Sequence, residues 1–327
     1  MDGWERSQLS TFQLLTCLLP YSFIAIDIDG TLLTSQRVIS ARTLTAIDAA
    51  IAAGKHVALC TGRSLHSGRP IAEQVHPTAM LVFHSGALIL EALDGPILQA
   101  INMPCALASD LVNYLKQAGY DPLVYDPVPE SHHVWYESAR SVNAWRARYI
   151  KANGDKARLV LNLEDRLHID PAQIAVSGSQ SAMHDLRTQL RSRWHTIGLI
   201  LSRSTLAPGY FFLEIVPERV SKADALAVLG AMHGVPSAEM ISIGDNFNDL
   251  DMIHYAGLGV AMDNAPEEVK TTADLIAPSN DEEGVAYIIE NFLLTSGTLQ
   301  AFFPYTHKYT GAYFPCFLNG IDLYLYE

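Results

Sequence analysis

Short apolar runs alternate with helical patterns in this chain, and this rhythm leaves few folds open. The run Tyr21–Asp29 ends in turn residues, and Ser40 then has the character of an N-cap before a helix that ends at Gly54. Further apolar runs follow at His56–Cys60 and Ala79–Phe83. Strands and helices that alternate in this way predict a parallel sheet with right-handed crossovers.

The alternation stops in the middle of the chain and resumes later. Residues 87–204 hold Pro and Gly breaks, helical stretches and short strands, which is typical of an inserted α+β domain. Apolar runs resume at Phe211–Val216 and Met240–Ile243. We therefore predict an α/β protein with a Rossmann-like parallel-sheet core, formed by residues 21–86 and 205–294, and a large inserted domain at 87–204. The 327 residues are long for one core and suit two domains.

The two ends of the chain lie outside this pattern. Residues 1–20 are interpreted as an N-terminal extension without an assigned role. The stretch from Ser7 to Ile26 is uncharged, but Pro20 interrupts it and the first strand claims its end, so neither a membrane span nor a signal peptide is expected. Residues 295–327 form an aromatic tail that holds nine of the 25 Phe and Tyr residues and has little periodicity.

Charge and cysteine content exclude several classes of partner and site. The formal net charge is -13 without a Lys/Arg-rich cluster, which argues against nucleic acid or a membrane surface as the partner. The four cysteines are far apart and form no CxxC pair, so a reduced, cytoplasmic protein without a zinc site is expected. An acidic protein that binds an anionic substrate also needs a local cation.

Acidic residues follow two of the predicted strands. Asp27 and Asp29 end the first run, and Asp245 follows Met240–Ile243 through Gly244. Residues two apart in an extended segment point to the same side, so the first two carboxylates can reach one site. Ligands of open parallel sheets bind outside the carboxyl ends of the strands, where all three carboxylates are expected. Oxygen donors without histidine or cysteine suit Mg²⁺ and suit zinc poorly.

Three further residues fit an anion such as a phosphate group. Thr61 and Gly62 open a turn at another strand end, where the hydroxyl and the backbone N–H groups can donate to anionic oxygens. Lys222 begins a predicted helix after Ser221, so its ammonium group and the helix N-terminus can both face an anion.

The order of these residues resembles the four motifs of the haloacid dehalogenase superfamily. The motifs are Asp27-Ile28-Asp29-Gly30-Thr31-Leu32, Thr61, Lys222 and Gly244-Asp245-Asn246-Phe247-Asn248-Asp249. Three other segments resemble the Cof-like sugar-phosphatase branch: Leu213-Glu214-Ile215-Val216, Gly259-Val260-Ala261-Met262 and Asn280-Asp281-Glu282-Glu283-Gly284-Val285-Ala286. The resemblance covers about residues 22–292. It implies a phosphomonoester hydrolase whose inserted domain is a cap that closes over the core and selects the leaving group.

The resemblance implies a role for each matching acidic residue. Asp27 would attack phosphorus and form an aspartyl-phosphate, and Asp29 would protonate the leaving alkoxide and then activate water. The Asp27 carboxylate, the Asp29 backbone carbonyl and Asp245 would hold Mg²⁺, with Asp249 in a supporting role. Thr61, Lys222 and Asn248 would hold the phosphoryl oxygens.

The resemblance leaves the substrate and some alternatives open. The expected substrate is a small phosphorylated metabolite, and a sugar phosphate fits the branch. A phosphohexomutase would use the same residues, whereas a non-catalytic sugar-phosphate-binding protein would be expected to lose Asp27 or Asp29. A dehalogenase needs no second acid, so Asp29 argues against it. The chain departs from the branch at Ser85-Gly86-Ala87, where Asn-Gly-Ala is usual, and at Glu218-Arg219 and Ala223, where small residues are common.

Overall fold

The computed structural model describes residues 21–130, 132–139, 143–204 and 209–294, and the backbone of two short strands near residue 320. The interpretation of residues 1–20 and most of that of residues 295–327 therefore lie outside the described residues. Among the helices that are described, not one has the length and apolar character that a membrane crossing requires.

The elements of the chain are named in chain order. The first part forms β1 (Phe23–Asp27), α1 (Ala41–Ala52), β2 (His56–Cys60), α2 (Leu65–Ala72), β3 (Met80–Phe83), β4 (Leu88–Leu90) and β5 (Ile97–Ala100). The middle part forms α3 (Cys105–Gln117), β6 (Leu123–Tyr125), β7 (Val134–Tyr136), α4 (Ala144–Asn153), β8 (Ala157–Leu159), β9 (Ile174–Ser179), α5 (Gln180–Arg193), β10 (Ile197–Arg203) and β11 (Tyr210–Pro217). The last part forms α6 (Lys222–His233), β12 (Met240–Gly244), α7 (Leu250–Tyr255), β13 (Leu258–Met262), α8 (Glu267–Lys270), β14 (Leu275–Ala277) and α9 (Gly284–Ile288). Two further strands, β15 (Cys316–Leu318) and β16 (Ile321–Leu323), pair with each other antiparallel.

Two sheets organise the described residues between 21 and 294. The core sheet has the strand order β14-β13-β12-β1-β2-β3-β4-β5, and the strands from β14 to β3 are parallel. The cap sheet has the order β10-β11-β9-β6-β7-β8. The predicted α/β fold class with a parallel core sheet is confirmed.

Strand β1 lies in the middle of the core sheet and is buried on both faces. Ile24 and Ile26 pack into the cluster that includes α1, whereas Phe23 and Ala25 pack on the opposite face against α6. A strand that is covered by helices on both faces reads as a continuous apolar run, which is why Phe23–Ile26 shows no alternation. This central position places Asp27 at the carboxyl edge of the sheet.

The boundaries between the core sheet and the cap sheet differ from the predicted domain boundaries. Strands β4 and β5 continue the core sheet antiparallel, although they fall within the expected insert at 87–204. Strand β11 pairs antiparallel with β9 and β10 in the cap sheet, although residues 205–294 were assigned to the core. An apolar run predicts a buried strand but not its partner strands, because pairing depends on distant segments.

Candidate active site

The functional side chains come from the carboxyl edge of the core sheet. Asp27 ends β1, Thr61 follows β2 directly, and Asp245 follows β12. Gly30 makes the turn after β1 with φ of +88°, and a Cβ atom at this position would collide with the Asp245 carboxylate. The turn therefore needs glycine both for its backbone conformation and for this close approach.

Lys222 connects two of the buried carboxylates. Its Nζ donates to Asp27 Oδ1 at 2.5 Å and to Asp249 Oδ1 at 2.6 Å, and all three side chains are buried. The lysine is held there because Ser221 caps helix α6 by accepting a hydrogen bond from the Asp224 N–H. Burial lowers the pKa of Lys222, but Asp249 and Asp27 more than offset this effect, so the lysine pKa is raised and the side chain stays charged.

The carboxylates outnumber the positive charge that contacts them. One oxygen each of Asp27, Asp245 and Asp249 lies within 4.8 Å of the others. Burial, together with the charge of Asp249, raises the pKa of Asp27 to about 7. Burial and the charge of Asp27 raise the pKa of Asp245 well above its usual range. Buried carboxylates with one lysine between them leave an excess of negative charge that a divalent cation would balance.

The donor set fits Mg²⁺, and its members are not equivalent. Asp245 accepts only a long hydrogen bond of 3.4 Å from the Thr31 hydroxyl among the described residues, so its carboxylate has oxygen lone pairs left for a cation. Asp249 is already engaged, because Oδ1 accepts from Lys222 and Oδ2 accepts from the backbone N–H groups of Asp245 and Asn246 at 3.0 Å. Asp249 therefore orients the loop after β12 rather than offering free oxygens. Hard oxygen donors without nitrogen or sulfur suit Mg²⁺.

Asp29 lies in the turn after β1 and pairs with Arg63. The guanidinium Nε and Nη2 atoms each donate to one carboxylate oxygen at 2.5 Å. Asp29 remains 44% exposed and lines the same cavity as Asp27. The pair brings the turns after β1 and β2 together and holds the Asp29 carboxylate in one orientation.

The predicted anion-binding residues also lie at this edge. The buried Thr61 hydroxyl accepts a hydrogen bond from the Arg63 N–H at 3.1 Å, which leaves its own hydrogen available to donate. Gly62 lines the cavity beside it. The Asn248 Oδ1 atom is buried and accepts no hydrogen bond from the described residues. This oxygen is an acceptor, so an anion would be bound by the Nδ2 group of the same amide. The structure thus brings all the sequence-predicted site residues to one edge of the core sheet.

A cavity of about 390 Å³ lies between this edge and the cap sheet, a volume that suits a small metabolite. The core contributes Asp27, Asp29, Thr61, Gly62, Arg63 and Asn248 to its lining, and the cap elements contribute Tyr125, Trp145, Tyr149, Phe212 and Glu214.

A cluster of aromatic side chains forms part of the cap side of the cavity. The Trp145 and Tyr149 rings stack with centroids 4.8 Å apart, and Phe212 lies 4.6 Å from Trp145. The Tyr125 and Tyr149 hydroxyls are 2.6 Å apart. This aromatic cluster therefore offers ring faces and a pair of hydroxyl groups, and polar side chains such as Asn153, Lys156 and Gln173 line the same side of the cavity.

The side chain of Glu214 is a further buried carboxylate that lines the same cavity. It is 6% exposed, and its Oε2 accepts a hydrogen bond of 2.9 Å from Ser85 Oγ. Burial raises the pKa of Glu214 to about 7, although Ser85 and Lys222 oppose the increase.

The cap and the core also contact each other through Asn246. Its Oδ1 accepts from the Arg203 N–H at 3.0 Å, and its Nδ2 donates to the Arg203 carbonyl at 3.1 Å. This two-point contact connects the end of β10 to the loop that carries Asp245 and Asp249.

Sequence reasoning assigned no role to Arg63, Glu214 or Asn246. The sequence contains a signal for Arg63 and for Glu214. Arg63 follows Thr61-Gly62 directly, and Glu214 is the one charged residue in the apolar run Phe211–Val216. The Asn246 contact had no signal, because it depends on the position of β10.

Residues 24–289 match the family model described as haloacid dehalogenase-like hydrolase. A protein of Haemophilus influenzae named "Putative phosphatase" is 30% identical over 275 residues, which cover 83% of this chain and 97% of the relative. The 5-amino-6-(5-phospho-D-ribitylamino)uracil phosphatase YitU of Bacillus subtilis is 27% identical, and the match covers 84% of this chain and 97% of the relative. A solved haloacid dehalogenase-like hydrolase from Bacteroides thetaiotaomicron is 28% identical, with a TM-score of 0.65 and coverage of 83% and 98%. The matched residues include both sheets.

Proposed function

We propose that this chain, a phosphatase of the haloacid dehalogenase-like hydrolase family, hydrolyses a small phosphorylated metabolite with Asp27 as the nucleophile. The observation that carries this proposal is the convergence of three distant segments at the carboxyl edge of the core sheet. Asp27 and Asp29 line the cavity, Lys222 donates to Asp27, and one oxygen of Asp245 lies within 4.8 Å of one of Asp27. A phosphatase of this kind needs a nucleophile, a proton donor and positive charge at one point.

Asp27 is prepared for attack by its contact with Lys222. The lysine holds Oδ1 at 2.5 Å, which leaves Oδ2 to attack phosphorus. A bond forms between Asp27 and phosphorus as the ester P–O bond breaks, and Asp29 donates a proton to the departing alkoxide. Asp29 then takes a proton from water, which attacks the aspartyl-phosphate and releases inorganic phosphate and free Asp27.

The transferring phosphoryl oxygens need donors that are already in place. The Thr61 hydroxyl, the Gly62 backbone N–H, the Asn248 amide and Lys222 are the candidates that line or border the cavity. The fold holds these donors in place before the substrate binds, so they can stabilise the transition state with little reorganisation.

Asp27, Asp245 and the backbone carbonyl of Asp29 would hold Mg²⁺, with Asp249 orienting the loop. When bound, this ion supplies positive charge that neutralises the phosphoryl oxygens in the transition state. The cation would also explain how a protein with net charge -13 binds an anionic substrate. A cytoplasmic location, expected from the scattered cysteines, is part of this proposal.

Phosphate release from nitrophenyl phosphate tests the reaction. The purified protein should release phosphate with Mg²⁺ and lose turnover with EDTA, and Asp27→Asn should be inactive while it remains folded. Radioactive phosphate from a labelled substrate should be trapped on the wild-type chain by acid quench, but not on Asp27→Asn.

A matched control is Asp263→Asn, since Asp263 is exposed on the core and lies outside the cavity. This variant should retain wild-type turnover. Turnover by Asp27→Asn would disprove the nucleophile assignment, and full activity in EDTA would disprove the metal requirement.

A further inference from the structure

The buried carboxylate of Glu214 has no task in the proposed reaction. Residues of β11 alternate between two environments: Leu213 and Ile215 pack among the cap helices, whereas Phe212 belongs to the cluster on the other side and lines the cavity. Glu214 shares the orientation of Phe212, so the strand directs its carboxylate toward the cavity.

The Glu214 carboxylate has unused hydrogen-bonding capacity. Ser85 Oγ donates to Oε2 at 2.9 Å, and Oε1 accepts no hydrogen bond from the described residues. A carboxylate offers about four acceptor sites, and buried polar atoms are nearly always paired in folded proteins. The unused oxygen is therefore suited to accept from a molecule in the cavity.

The Glu214 Oε1 atom lies close to Gly62, in the turn that is proposed to bind the phosphoryl group. A methyl group built on Gly62 would lie 3.3 Å from both Glu214 Oε1 and Ser85 Oγ. Glu214 thus borders the Thr61-Gly62 turn, and groups attached directly to the phosphate would lie next to it. A negative group there would be repelled, whereas a hydroxyl group could donate.

We propose that Glu214 is a specificity-determining residue, which accepts a hydrogen bond from a hydroxyl group of the leaving alcohol near the ester oxygen. The preferred substrates are therefore phosphates of polyols, including sugars. Ser85 is a positioning residue that fixes the carboxylate. This inference rests on the proposed phosphatase function and adds the group that recognises the leaving alcohol.

The test compares kcat/KM for glycerol phosphate with that for propyl phosphate, two esters that differ in hydroxyl groups. The wild-type enzyme should prefer glycerol phosphate. Glu214→Met, which keeps the chain length but removes the acceptor, should lower that ratio about 10- to 100-fold. Glu214→Gln retains an acceptor oxygen and should preserve part of the ratio, mainly through a smaller increase in KM than in Glu214→Met.

Controls separate this inference from the proposed function and from folding. Glu218→Gln changes an exposed carboxylate four residues away and should leave the ratio unchanged. If Glu214→Met does not fold, as judged by thermal melting, Ser85→Ala decides: it should lower the ratio about 3- to 10-fold, because the carboxylate loses its anchor.

Each result bears on one of the two proposals. Wild-type enzyme that hydrolyses nitrophenyl phosphate but treats glycerol phosphate and propyl phosphate alike overturns the Glu214 inference only. Equal losses on both alkyl esters in the Glu214 or Ser85 variants also overturn it, since they indicate a structural role. No phosphate release from any ester overturns the proposed function.

Discussion

The Arg63 guanidinium donates two hydrogen bonds to the Asp29 carboxylate, and both N···O distances are 2.5 Å. The side chains are 24% and 44% exposed, so solvent weakens their attraction, but the two-point geometry still fixes the direction of the carboxylate. Asp29 is the residue proposed to carry a proton to the leaving group. It therefore reacts from a position that Arg63 sets.

Removing Arg63 should affect the proton-transfer step. Asp29→Asn is expected to lower kcat for an alkyl phosphate about 100- to 10,000-fold, because general acid–base catalysis is lost. Arg63→Ala should lower it about 10-fold, because the carboxylate remains but loses its orientation. Losses on nitrophenyl phosphate should be smaller, since nitrophenolate leaves without a proton. Arg69→Ala, an exposed arginine paired with Glu73, is the control. Equal losses on both esters in Arg63→Ala would assign Arg63 to phosphate binding instead.

Lys222 should be essential for stability as well as for turnover. Lys222→Met leaves Asp27 and Asp249 buried without their cation, so the free energy of unfolding in metal-free buffer should fall by about 3–5 kcal/mol. Adding Asp249→Asn should restore part of this loss, because one of the uncompensated charges is removed. Urea denaturation measures both effects. A double variant that is less stable than Lys222→Met would contradict the charge-balance explanation.

Mg²⁺ should stabilise the folded chain even without substrate. At a concentration about 100-fold above its dissociation constant, a ligand that binds only the folded state adds about 2.7 kcal/mol. The melting temperature of the wild type should therefore rise with Mg²⁺, and Asp245→Asn should remove most of the increase. Asp263→Asn should show the wild-type increase. If Asp245→Asn responds like the wild type, the ion binds elsewhere.

In the metal-free protein, His84 should contribute a loss of stability in mild acid, whereas the raised pKa values of Asp27, Asp245 and Glu214 act in the opposite direction. Burial lowers the pKa of this fully buried histidine to about 4, against an ordinary value of 6.5. Between these values the unfolded chain binds a proton that the folded chain does not, so this contribution is present above pH 6.5 and is lost as pH falls toward 4. A difference of about 2.5 between the pKa values corresponds to about 3 kcal/mol.

His84→Asn should remove the histidine contribution, so that below pH 6.5 its stability relative to the wild type should increase as pH falls, measured by urea denaturation at several pH values. Asparagine is chosen because residue 84 has a φ of +49°, which asparagine tolerates better than most residues. His195→Asn replaces an exposed histidine and should leave the slope as in the wild type. If the pH dependence of stability in His84→Asn matches that of the wild type, His84 does not contribute to it.

Several elements were predictable because their signals are local. Strand β2 has the bounds His56–Cys60 that its apolar run indicated. Helix α1 begins after its N-cap Ser40 as expected. Strand β11 was assigned to the core from the sequence, and this assignment is wrong, since β11 pairs with β9 and β10 in the cap sheet. Such pairing involves residues that are distant in the chain.

The sequence by itself determined that Asp27, Asp29 and Asp245 emerge where strands end, since apolar runs and glycine turns are properties of adjacent residues. Only the tertiary structure decided which side chains meet them. Arg63 grips Asp29 because β1 and β2 are neighbours in the sheet, and Glu214 borders the cavity because β11 is in the cap sheet. Such contacts depend on the order and packing of strands far apart in the chain, which no local pattern of residues encodes.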